Sequence, residues 1–292
     1  MFKGTYTALI TPFRNGTVDY DAFRALIDRQ AEAGITGIVP VGTTGESPTV
    51  TPEEHLEIIR VSVEHTAGRM QVVAGTGANA TGEAIELTQA AEKIGVDGSL
   101  QVCPYYNKPS QEGLYQHYKA VADATKLPLM LYSVPGRSTV AIAPETAARL
   151  ANDCPNILSL KEAGGSVDRI NQLVQAVPEG FELLSGDDPL TVPFFSCGAI
   201  GLVSVAANIV PEVMVKLVNA CLEGDYSEAL TLQKKYYPLF SALMGLDTNP
   251  VPIKSAAALM GQCTNEFRLP LVGLSEDNTV ELTRVLKDFE LL

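Results

Sequence analysis

A lysine, a tyrosine and a pair of threonines, each where an apolar run ends, are the residues of this 292-residue chain whose types and spacing could do chemistry. Lys161 closes the run Asn156, Ile157, Leu158, Ser159, Leu160, where a strand should surface from a core. An ammonium ion half withdrawn from water is destabilised, so its pKa falls and a nucleophilic neutral amine becomes available near pH 7. Such an amine forms imines with ketones. A lone strand-end lysine can equally be a cation that snorkels into solvent, so its companions along the chain decide. Tyr132 ends the preceding run and could relay a proton to a neighbouring imine, and Arg137, five residues on, could fork two hydrogen bonds onto a carboxylate. Gly42, Thr43, Thr44, Gly45 and Glu46 form a turn whose N–H groups and two hydroxyls could hold a small carboxylate. Tyr105 and Tyr106 are adjacent in a loop, where packing is the simpler reading. Asp187 and Asp188 suggest acid–base work or a metal, but Asp188 directly before Pro189 reads more simply as a helix N-cap. His55, His65 and His117 fall in helical segments without metal-ligand spacing and read as non-catalytic.

Something must bring these residues to one place. Short β-rich runs end near Ile10, Val41, Gly75, Val102, Tyr132, Lys161, Ser185 and Ser204, and each interval has room for a helix and two loops. Eight strands with crossover-length connections predict an α/β fold, an eight-stranded parallel (β/α) TIM barrel, with active residues at the carboxyl ends of the strands. Asp19 is placed to cap a helix, and Thr51, Pro52 and Glu54 read as N-cap, first-turn proline and capping-box glutamate. After Ser204 the pattern is helical, broken at Gly224, at Asn249–Pro250 and before Pro270. Residues 1–224 are expected to form the barrel and residues 225–292 a C-terminal helical extension. In sequential order Tyr132 and Lys161 become neighbours at one rim.

Composition narrows the partners. The 21 Lys and Arg against 34 Asp and Glu give a formal charge of −13, which disfavours binding to nucleic acid or an anionic membrane. No uninterrupted apolar stretch suits a membrane span, and the N-terminus does not read as a signal peptide. Five scattered cysteines without a C-x-x-C motif fit neither zinc nor disulfide frameworks and suit a reducing cytoplasm. One motif points elsewhere: Gly75–Thr76–Gly77–Ala78–Asn79–Ala80 matches a dinucleotide fingerprint, with Asp97 some twenty residues on. Asp97, however, precedes the fourth run instead of ending it, so the nucleotide reading is weak.

With these residues assembled, the chain resembles the dihydrodipicolinate synthase family of pyruvate-dependent class I lyases. The likeness runs from Gly4 to about Leu271 through Val41–Ser47, Ala74–Asn79, Pro104–Pro109, Tyr132–Arg137, Leu160–Ala163 and Leu184–Asp188. It implies that Lys161 forms an imine with pyruvate, that the derived enamine attacks L-aspartate 4-semialdehyde, and that the product ring serves diaminopimelate and lysine biosynthesis. It also implies that Thr43 and Thr44 hold the pyruvate carboxylate, with Gly186 and Val203 lining the site. Thr44, Tyr132 and Tyr106 would form a proton relay, and Arg137 would bind the semialdehyde carboxylate. No metal or organic cofactor is expected. Tyr106 would enter a neighbouring subunit's site, in a homotetramer built as a dimer of dimers.

In some members the residues matching Ser47, His55, Asn79, Glu83 and Tyr105 form a lysine feedback site. This chain carries Pro48 and Pro52 where inhibited members carry alanine and histidine, and Ser133 where asparagine is common. Two rivals share the lysine chemistry or the fold: an N-acetylneuraminate lyase or keto-deoxy-sugar-acid aldolase, and a catalytically idle paralogue that only binds keto acids. Thr43 and Arg137 argue against the first, and an intact Lys161, Tyr132 and Thr44 against the second.

Overall fold

A computed structural model describes residues 1–292. Eight parallel strands close into a barrel: β1 (Gly4–Ala8), β2 (Gly37–Val39), β3 (Gln71–Gly75), β4 (Gly98–Val102), β5 (Leu129–Ser133), β6 (Ile157–Glu162), β7 (Glu182–Ser185) and β8 (Gly201–Ser204). They pair in chain order, with β8 returning to β1. Such strands are covered on both faces, which is why they read as apolar runs and not as alternating patterns. Phe2, Tyr6, Val39, Val73, Leu100, Met130, Leu184 and Val203 fill the barrel interior, while a larger apolar layer lies between strands and helices. The register sets Tyr132 directly opposite Lys161, and Lys161 opposite Leu184.

Helix starts follow the expected local chemistry. The Asp19 side chain accepts from the Ala22 N–H at the start of Tyr20–Glu32. Thr51 and Glu54 form a capping box, with Pro52 in the first turn of Pro52–Thr66. Pro211–Glu223 closes at Gly224, whose φ of 78° is the left-handed conformation glycine adopts freely. Tyr226–Gly245, Val251–Leu259 and Glu276–Asp288 follow.

Three local expectations need correction. The first two runs leave the sheet earlier than their apolar character suggests, at Ala8 and Val39. Ile10 remains buried but gives its N–H to the Asn208 side chain, and Val41 turns to a φ of 47°. A hairpin of Phe13–Arg14 with Thr17–Val18 was not anticipated; Asn15 and Gly16 both take positive φ, the conformation a two-residue hairpin turn requires. Asp188 does not cap its own helix. Its buried carboxylate accepts from the Ser204 hydroxyl and from the Val205 and Ala206 N–H groups, tying the end of β7 to the segment after β8. Asp97 likewise serves the barrel: it accepts from the Val72 N–H at the amino end of the strands, far from where a ribose-binding acid would be needed.

Candidate active site

Lys161 is 6% exposed at the carboxyl rim of β6, with its Nζ 4.1 Å from the centre of the Tyr132 ring. Its ammonium has neither an ion pair nor a hydrogen-bond acceptor in the chain. Burial therefore pulls its pKa down to about 8, although Asp187 and Asp188 favour the charged form; Arg137 adds to the lowering. The amine depends on an adjacent glycine for room. A Cβ built on Gly186 would lie 2.8 Å from Lys161 Cε and 2.7 Å from the Ala163 side chain.

The turn after β2 is shaped around free donors. Gly45 and Ser47 give their N–H groups to the Gly42 carbonyl and Glu46 gives its own to Thr43, while the N–H groups of Thr43 and Thr44 have no acceptor in the protein. Gly45 is required because a Cβ there would meet the Val41 backbone at 2.9 Å, and Gly75 because its Cβ would meet the Val41 carbonyl oxygen at 2.5 Å. Gly75 thus belongs to the packing of this turn, not to a nucleotide.

Tyr132 is buried, which pushes its phenol up to about 12. The Thr44 hydroxyl accepts from Asn249 Nδ2 at 3.0 Å. Thr44 and Tyr132, the two members of the expected relay on one rim, face the same cavity. Arg137 is exposed at the mouth, and one of its nitrogens donates to the Asn249 carbonyl at 2.9 Å. Thr43, Thr44, Tyr132, Arg137, Lys161 and Gly186 all line one cavity of about 390 Å³. Val203 does not; it is sealed in the barrel interior, and Val205 occupies the wall. Tyr106 is also absent from this cavity, standing 91% exposed on a loop with a φ of 72°.

A second cavity of about 780 Å³ adjoins the first, sharing Thr43, Tyr132 and Arg137 as its wall. Ser47, His55, Glu83 and Tyr105 line it, as do Pro48 and Pro52. Asn79 is held beside it, donating to the Tyr105 carbonyl and accepting from Asn107 through its own carbonyl. The His55 ring donates through Nε2 to the Gly75 carbonyl at 2.9 Å, and burial lowers its pKa.

The sequence reading missed two contributors. Asn249 touches both Thr44 and Arg137, and Lys254 forms a fully buried ion pair with Glu46 at 2.6 Å. A signal for Lys254 existed in its setting, a single cation in the apolar stretch Val251–Met260.

A closed β/α barrel with a buried, unpaired lysine at its carboxyl rim has what a lyase working through a lysine amine requires. The chain belongs to the dihydrodipicolinate synthetase family, whose model matches residues 1–289. It is 49% identical over 292 residues to the 4-hydroxy-tetrahydrodipicolinate synthase of Endomicrobium trichonymphae, covering all of both chains. Among solved structures, the dihydrodipicolinate synthase of Aquifex aeolicus is similar at a TM-score of 0.98 and 46% identity, over 99% of each chain. The 4-hydroxy-tetrahydrodipicolinate synthase of Methylacidiphilum fumariolicum matches at 0.98 and 52%, over 99% of this chain and 96% of that one.

Proposed function

We propose that this chain carries out the 4-hydroxy-tetrahydrodipicolinate synthase reaction, condensing pyruvate with L-aspartate 4-semialdehyde. The observation that carries the reading is the buried, unpaired Lys161 beside Tyr132 and two unused backbone N–H groups. The Thr43 and Thr44 N–H groups hold the pyruvate carboxylate, presenting the ketone to Lys161. Nζ adds to C2 and water leaves, giving an imine that stays electron-withdrawing and acidifies the methyl group. Loss of a methyl proton gives an enamine whose carbon attacks the aldehyde of the second substrate. The amine of that substrate then adds to C2, displaces Lys161 and closes the six-membered ring. Thr44 and Tyr132 pass protons, and Arg137 pairs with the semialdehyde carboxylate.

The exposed Tyr106 completes the relay in a neighbouring copy, in a homotetramer built as a dimer of dimers in the cytoplasm. Its isolation from its own chain's cavity supports that assignment, and a fully active monomer in light scattering would refute it. The larger cavity is a lysine-binding feedback site, supported by Ser47, His55, Glu83 and Tyr105 converging on one wall. Pro48 and Pro52 stiffen that wall, and undiminished turnover in excess lysine would dismiss regulation.

Incubation with pyruvate and borohydride, followed by peptide mass spectrometry, tests the central claim. A stable three-carbon adduct on Lys161, absent from Lys161→Ala, is expected. No adduct on folded protein would remove the imine mechanism.

A further inference from the structure

The turn bearing Thr43 and Thr44 is strained at both ends. Val41 and Glu46, neither a glycine, take φ values of 47° and 55°. A β-branched residue with positive φ is an outlier that persists only when its surroundings hold it. What holds the turn comes from the other end of the chain. Lys254, on helix Val251–Leu259, reaches Glu46 Oε1 at 2.6 Å with both side chains fully buried. The ammonium also sits 4.0 Å from the centre of the Phe13 ring. The second oxygen of Glu46 has no partner, so Lys254 is the only group bonded to that carboxylate. Five residues earlier, Asn249 holds the Thr44 hydroxyl with its side chain and Arg137 with its carbonyl. A further cation, Arg268, forks onto Glu54, fixing the far end of the same loop.

We propose that Lys254 is a positioning residue for pyruvate: through Glu46, the segment Asn249–Lys254 of the C-terminal extension holds the Thr43–Thr44 donors in place. It rests on the reading of those donors as the pyruvate-carboxylate site. Lys254 does not touch substrate. The pair acts by fixing a strained backbone, so its loss should weaken ground-state recognition of the carboxylate more than the chemistry at Lys161. Removing one partner alone would bury an unpaired charge and endanger folding. The informative change is the neutral pair Glu46→Gln with Lys254→Met, which keeps the glutamate's shape, shortens the lysine by one atom and leaves no orphan charge.

For a variant whose thermal melt remains cooperative, the KM for pyruvate should rise at least about 10-fold. Its kcat at saturating pyruvate should stay within about threefold and the KM for the semialdehyde should hardly move. A pyruvate KM within twofold of the parent in folded double variant overturns the proposal. Hydrogen exchange on the unaltered protein gives a second readout that does not depend on any variant. Pyruvate should protect amides in residues 251–259 together with those of 43–46, and no change in 251–259 overturns the proposal too. Failure of the underlying reading looks different: the unaltered protein would then form no borohydride-trapped adduct at all.

Discussion

The reactivity of Lys161 can be followed by titrating it. With a pKa of about 8, about one-tenth of the side chain is neutral at pH 7, against roughly one part in 2,500 for an ordinary lysine near pKa 10.4. Burial thus raises the reactive fraction about 200-fold, equivalent to roughly 3 kcal/mol. Competitive acetylation at a series of pH values, read at the Lys161 peptide by mass spectrometry, reports this fraction directly. Labelling should rise about tenfold per pH unit up to pH 7.5 and level off above pH 8.5. The perturbation with a definite sign is Asp187→Asn. Asp187 is the nearby negative charge that does most to favour the ammonium, so its removal should move the midpoint to lower pH. A profile still climbing at pH 10, or a midpoint that rises in Asp187→Asn, would refute desolvation as the source of the nucleophile.

Three further outcomes follow from the same geometry. Lys161→Met should stabilise the protein at pH 7 by up to roughly 3 kcal/mol in urea unfolding, because the folded pKa lies below the unfolded one and the charged form is penalised. The parent's penalty is complete below pH 8 and fades as pH rises towards about 10.4, so the advantage of the variant should shrink over that window. Gly186→Ala introduces a carbon 2.8 Å from Lys161 Cε, whereas carbon atoms rest about 3.5–4.0 Å apart, so the amine must shift by about 1 Å; kcat should fall about 100-fold in steady-state assays. Thr44→Val removes a hydroxyl that faces the cavity shared by Lys161 and Tyr132 and should lower kcat by about 10²-fold in steady-state assays.

Much of the barrel was legible because parallel strands covered on both faces leave continuous apolar runs, and glycines and prolines punctuate them. Strand ends were less so: Leu9 and Ile10 stay buried after they leave the sheet, so hydrophobicity cannot show where hydrogen bonding to β8 and β2 gives way to Asn208. Lys161 and Tyr132 could be paired from chain order alone, since successive parallel strands are neighbours. What the Thr44 hydroxyl bonds to could not be read that way, because its partner Asn249 lies 205 residues further along the chain. Lys254 lies 208 residues from Glu46, and no local pattern connects them. Asp188 satisfied a local rule, carboxylate before proline, yet a longer-range use by Ser204 and the backbone beyond it prevailed. The Asn15–Gly16 turn was a readable hairpin signal, but its two-residue strands are too short to stand out as apolar runs.

The apolar filling of the barrel gives the catalytic cavity a dry floor. Met130, Leu184 and Val203 are buried beneath the rim. On the imine route, a substrate tethered to Lys161 has packed side chains below it and open space only towards the rim, so a bond-forming partner approaches it from one side.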